Sequence, residues 1–209
     1  MVDWSSYLLF LVACAALILA PGPAQALVVA KTLAEGRCVG VLTAIGLNIG
    51  TLFHAVAAAL GLSALLASSA LAFSVVKYLG AAYLIYLGIR ALRAGPQASS
   101  LPTSTRVTAS KSALWQAVLV GTLNPKVALF FLAFLPQFVN PQSGSVVLQF
   151  LVLGTTMAAL DVLYEVVLVQ LVSRMRRRML GSVRFVLWQN RISGAVLVAL
   201  GLRLAVQER

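Results

Sequence analysis

A chain of 209 residues that is 61% hydrophobic and only 10% charged, with a mean hydropathy of +0.97, is too apolar for a soluble domain and reads as an integral membrane protein. The net charge of +11 does not indicate a nucleic-acid partner, because eleven of the sixteen basic residues lie in alternate connections between apolar runs and the other connections hold none. A single histidine and two cysteines without metal-ligand or CxxC spacing exclude a His-rich metal site, so neither a metal nor a cofactor is expected.

Six runs are long enough for a hydrocarbon core, which takes about 20 residues of helix. The first is Tyr7–Ala30. The segment before it carries Asp3 and no Lys or Arg, unlike a secretory signal, so it reads as a retained span. Pro21-Gly22-Pro23 interrupts it. Proline removes a backbone donor and clashes with the preceding turn, so Pro21 is expected to free the carbonyl of Leu17, and Pro23 that of Leu19. Cys14 in this span and Cys38 after it read as packing residues rather than a disulfide.

The second run, Val39–Leu66, follows Gly36 and carries Gly40, Ala44, Gly46 and Gly50 at small-residue spacing. Either an internal helix contact or a dimer face uses such spacing. Asn48, Thr51 and His54 recur at helical intervals in this span and either line a cavity or bond to neighbouring helices. The third run, Leu71–Leu92, holds Lys77, whose stem is long enough to reach the headgroups. Residues 94–111, rich in Ser, Thr, Pro and Gly, read as a cytoplasmic linker.

The fourth run, Ser112–Val139, is broken at Asn124-Pro125-Lys126, with Pro125 freeing the carbonyl of Gly121. Asn124 and Lys126 can face one pocket only if the helix is truly broken there. The fifth, Val146–Val172, carries Asp161, Tyr164 and Glu165 on one face. Ionisable groups at this depth cost about 2.5–3.5 kcal/mol each and need a reason to be present. Asp161 pairing with Lys126 provides either a structural salt bridge or a proton-coupling pair, with Glu165 beside it. The sixth run is Val183–Leu204.

Lys31 and Arg37 lie in the first connection; Arg90, Arg93, Arg106 and Lys111 in the third; Arg174, Arg176, Arg177, Arg178 and Arg184 in the fifth. The second and fourth hold none, so the odd connections are expected in the cytoplasm and both termini on the outer side. Arg176-Arg177-Arg178 reads as a topology anchor against anionic lipid headgroups. The expected fold is an all-α membrane protein of six transmembrane helices. These form two inverted three-helix repeats, residues 1–93 and 112–209, with breaks in spans one and four at similar places in each half.

Broken helices at depth line cavities. Freed carbonyls suit an ammonium group, and restarted helix N-termini suit a carboxylate, so a zwitterionic amino acid satisfies both. Pro21, Gly22, Pro23, Asn124 and Pro125 are expected to shape the substrate site, and Gln25, Asn48 and Thr51 to line it. Asp161, Lys126 and Glu165 are the expected proton-coupling group. The chain is expected to be a secondary transporter that couples movement of a small amino acid to protons. A passive channel or membrane scaffold is the alternative, and an intramembrane enzyme is disfavoured because no nucleophile or metal motif is present.

The segments LAPGPAQALVVAKTLAEGRCVGVLTAIGLNIGTLFHAVAAALGLSALL, VVKYLGAAYLIYLGIRALR and LNPKVALFFLAFLPQFVNP closely resemble the amino-acid exporters of the LysE/RhtB family. Asp161 and Tyr164 resemble family positions in the less similar last two spans. The resemblance implies a bacterial inner-membrane carrier exporting amino acids or close derivatives in exchange for protons, as a homodimer. Ala24 departs from it: many relatives place Asn or Asp directly after PGP, so one polar contact is missing from the implied pocket.

Overall fold

A computed structural model describes residues 4–68, 70–93, 110–174 and 183–206. Residues 94–109 of the expected linker, the Arg176-Arg177-Arg178 run and the side chain of Lys77 lie outside the described residues. The described chain is helical, without strands. Its helices are α1 (Trp4–Leu19), α2 (Pro23–Glu35), α3 (Arg37–Ser68), α4 (Ala70–Arg93), α5 (Ser110–Thr122), α6 (Pro125–Leu129), α7 (Val146–Arg174) and α8 (Val183–Val206).

Both proline motifs break their helices. The first apolar run is bent by 54° between α1 and α2, and the fourth by 40° between α5 and the segment that restarts at Pro125. Two unbroken stretches, Arg37–Gly61 and Val146–Arg174, are long and apolar enough to cross a membrane, and each bent pair qualifies as a further candidate span. Helices α4 and α8 have 24 residues each, roughly 36 Å of helix. Each half of the chain therefore runs through a bent pair, a long helix and a 24-residue helix. Large apolar side chains such as Leu8, Phe53, Leu60, Leu119, Leu148 and Leu163 are exposed around the helices, as expected where the solvent is lipid rather than water.

Small residues set the helix contacts. A Cβ added at Gly46 would meet Leu114 and Ala117, and one at Gly50 would meet the backbone of Gly121 and Thr122, so α3 and α5 pack side by side in parallel. Gly40 faces Val169, and Gly154 faces Ala55, which makes α3 and α7 antiparallel. Gly88 packs on Gly194 and Val198, and Gly201 on Ala81 and Ile85, so α4 and α8 are also antiparallel. The small-residue stripe of the second run is thus spent on internal packing. Gly50→Leu is expected to lower the unfolding temperature of the detergent-purified protein, by a loss of about 1–3 kcal/mol or more for overpacking. Gly61→Leu, where a Cβ meets nothing within 4 Å, should leave it nearly unchanged; equal effects would contradict the packing.

Two features depart from the sequence reading. Lys31, assigned above to the first connection, lies within α2 and is 5% exposed, with its Nζ 2.7 Å from Glu35 Oε1. Helical spacing of four brings these two together, and the connection is reduced to Gly36, with the exposed Arg37 already the first residue of α3. That glycine, at φ 91, holds a left-handed conformation unfavourable to other residues. The fourth run also fails to continue as α-helix after its break. It passes through a π-helical turn, Phe130–Phe134, into a 3-10 turn, Leu135–Phe138. Pro136 supplies no donor to the preceding turn, and the ladder shifts register around it. Phe130, Phe134, Phe138 and Phe10 stack there in the core, with ring centroids 5.1–5.4 Å apart.

Candidate functional site

The two breaks meet. Residues 20–22 between α1 and α2 are not helical, and Gly22 is extended at φ −159, ψ 179. The carbonyls stranded by this gap find side-chain donors from elsewhere. Lys126 Nζ, from the second break, donates to Ala20 O at 2.6 Å, and Gln25 Nε2 donates to Ile18 O at 2.7 Å. Side-chain hydrogen bonds thus reach the Ile18 and Ala20 carbonyls, beside those of Leu17 and Leu19 whose helical donors the prolines remove. The extended residues withdraw the amides of Gly22 and Ala24 from the α1 ladder as well. In the second break Gly121 O, freed by Pro125, accepts from Asn124 N at 3.2 Å.

Asn124 is buried and caps its own helix, its Oδ1 accepting from Lys126 N at 3.1 Å. That use of the side chain satisfies one of the amides α6 would otherwise offer to a ligand. The cap also sets the first turn from which Lys126 reaches across to Ala20. A Cβ at Gly22 would lie 3.7 Å from Lys126 Nζ, so the ammonium group runs directly beside the first break. Pro21, Pro23 and Pro125 are exposed; they shape the backbone.

Helix α7 brings its polar face to these breaks. Gln25 Nε2 also donates to Tyr164 OH at 3.0 Å, so Gln25 ties the first break to α7. Asn48 Nδ2 donates to Glu165 Oε2 at 3.0 Å and to Ala44 O at 3.1 Å. Asp161 and Glu165 both lie within electrostatic reach of Lys126. The Lys126–Asp161 pair is nevertheless not closed by a direct contact, because the ammonium group is held on Ala20. One cation therefore faces two carboxylates. Cys14, fully buried in α1, lies within electrostatic reach of Asp161.

Thr51 is buried at 2% exposure and turns its hydroxyl back toward Leu47 O at 3.5 Å. His54 turns away from Asn48, toward the backbone of Gly121 and Thr122, and its ring lies 6.2 Å from that of Phe131. It belongs to the α3–α5 contact beside the second break. A cavity of about 340 Å³ lined by Trp4, Tyr7, Leu148, Gln149, Val152 and Leu153 opens between α1 and α7 near Trp4, apart from this polar group, and its surface is almost entirely carbon.

Asn48 is 3% exposed and its Oδ1 has no hydrogen-bond partner. An unsatisfied buried acceptor costs about 1–3 kcal/mol. The amide orientation follows from its neighbours: Ala44 O and Glu165 Oε2 are both acceptors, so the NH₂ must face them and Oδ1 must point away. The Asn48–Glu165 and Gln25–Tyr164 contacts escaped the sequence reading, which placed these residues only by helix and face. Their one signal was the isolation of each polar side chain in an apolar run.

The chain matches the family described as LysE type translocator over residues 15–208. It is 33% identical over 206 residues to an uncharacterized membrane protein, YrhP, of Bacillus subtilis, covering 95% of this chain and 97% of that one. It is 35% identical to the homoserine/homoserine lactone efflux protein of Salmonella typhimurium, over 76% of this chain and 74% of the relative. With the leucine efflux protein of Salmonella choleraesuis it shares 29% identity, over 76% and 75% of the two chains. No solved structure matches it. A family match across nearly the whole chain, with relatives named as membrane and efflux proteins, makes this a membrane protein of the LysE-type translocator family, whose members are transporters and not enzymes.

Proposed function

We propose that this protein is a six-span secondary transporter of the bacterial inner membrane that exports an amino acid or close derivative from the cytoplasm by proton antiport. The observation that carries the reading is the bond from Lys126 in the second break to the Ala20 carbonyl in the first, with Asp161 and Glu165 facing the same ammonium. A link between two broken helices is suited to a site that must open alternately to each side. Buried carboxylates opposite one lysine are suited to taking up and releasing a proton.

The helix directions support the topology. Spans two and four run in parallel in a six-span chain, while two and five, and three and six, run oppositely. The α3–α5, α3–α7 and α4–α8 contacts have these relations. Residues 1–93 and 112–209 then form two inverted halves joined by the 94–111 linker, with both termini on the outer side and the basic connections against cytoplasmic headgroups. Pro21, Gly22, Pro23, Asn124 and Pro125 shape the substrate site, while Gln25, Asn48 and Thr51 line it. An amino-acid substrate is supported by the efflux relatives, and a homodimer is the proposed assembly.

The test is proton release from acid-loaded inside-out vesicles holding the purified protein, challenged with neutral, hydroxylated and basic amino acids. A saturable response to a subset, absent from protein-free vesicles, is the expected result. Silence from the whole panel, with orientation and gradient verified, would overturn the reading.

A further inference from the structure

Resting on the export reading, we propose that α2 is the inner gate of the transporter. Its Lys31–Glu35 end swings away from α3, α5 and α7 to open the polar group to the cytoplasm, and in this structure the gate is shut. The cytoplasmic end of the bundle is where α2 and α7 end and α3 and α5 begin, marked by the exposed Arg37, Lys111 and Arg174. Between that end and the group of Lys126, Asp161 and Glu165 the way is filled. Val28 of α2, Leu47 of α3, Ala117 of α5 and Val169 of α7 form one buried apolar cluster, and Val169 lies one helical turn beyond Glu165. One turn further along α2, Lys31 and Thr32 are buried as well, and a Cβ at Gly40 of α3 would meet both Thr32 and Val169.

Three features single out α2 as the moving wall. It is a helix of 13 residues with non-helical backbone at both ends, residues 20–22 before it and Gly36 after it. Gly36, at φ 91 and with open space where a Cβ would stand, is the joint at the cytoplasmic end. The polar side chains that α2 buries find partners within α2 itself. Lys31 pairs with Glu35 at 2.7 Å, and Thr32 Oγ1 donates to Val28 O at 2.7 Å, so both bonds travel with the helix. At its opposite end Gln25 is bonded to Ile18 O and Tyr164 OH, which makes that end the pivot. A short helix tied at one end and jointed at the other is suited to hinge motion about the tie.

The experiment is thiol labelling of the full-length protein in inside-out vesicles, whose outer surface is the cytoplasmic face, with a membrane-impermeant charged maleimide. Cys14 and Cys38 are replaced by Ala, and Val28→Cys is the reporter. Ala58→Cys, buried much farther along α3, is the control. Glu35→Gln removes the counter-charge beside Lys31, at greater cost where the lysine is buried than where water reaches it. It should therefore speed labelling at position 28 by about 10-fold or more and leave position 58 unchanged. Should that variant not fold, Val28→Cys with Glu35 intact decides. Its labelling should rise by a similar factor during proton-driven efflux of an amino acid to which the vesicle assay responds. Unchanged labelling at position 28, or equal acceleration at positions 28 and 58, overturns the gate and leaves amino-acid export standing. Silence of the whole amino-acid panel together with unchanged labelling overturns both, and the two failures separate because the Glu35→Gln comparison needs no substrate.

Discussion

Lys126→Met is expected to abolish transport in every mode and to lower the unfolding temperature of the purified protein. The side chain does two things at once. Its ammonium satisfies the Ala20 carbonyl stranded by the first break, and it is the cation facing Asp161 and Glu165. Methionine has similar length and no donor, so Ala20 O loses its side-chain partner and two carboxylates lose their counter-charge. Removing one partner of a buried charged group costs about 3–5 kcal/mol. Combining it with Asp161→Asn should restore part of the lost stability, because one uncompensated charge disappears with the other. The check is the melting temperature of both single variants and the double variant. Additive losses, or wild-type stability and exchange in Lys126→Met, would contradict the link between the breaks.

Asp161→Asn should remove proton-driven efflux while exchange of substrate for substrate remains measurable. Asparagine is nearly isosteric with aspartate and cannot carry the proton, and the Ala20 bond of Lys126 does not depend on it. The loss should therefore fall on coupling, with little effect on the shape of the site. Efflux driven by a pH gradient, measured beside counterflow in the same vesicles, separates these effects. Proton-driven efflux at the wild-type rate would assign coupling elsewhere, with Glu165, the second carboxylate facing Lys126, as the group to test next. Loss of both activities would make Asp161 a structural partner of Lys126.

The broken backbone was legible in the residues themselves. Proline lacks the donor that a helix needs at each step, so Pro21, Pro23 and Pro125 mark their interruptions without any knowledge of packing. The same holds for α3 and α7, where apolar length alone is sufficient, and for the Asp161–Tyr164–Glu165 face, which helical spacing defines. The pairing of elements was not legible. Gly46 and Gly50 serve an internal contact or a dimer face equally well as a spacing, and only the approach of Gly121 and Thr122 decides between them.

Within the site the division is similar. Composition and helical period determined that Lys126, Asp161, Glu165, Asn48 and Gln25 are polar groups in apolar surroundings that need partners. Tertiary structure decided which partners they take: Ala20 for Lys126, Ile18 and Tyr164 for Gln25, and Glu165 for Asn48. Apart from Gln25 to Ile18, which spans the first break, these bonds join residues more than 100 positions apart, so no local propensity encodes them. They depend on how two bent helices and α7 are brought together, and the π-helical turn before Pro136 re-registers the core in the same way. A proline declares its own lost bond, whereas the donor that replaces it is chosen by whatever the fold places within reach.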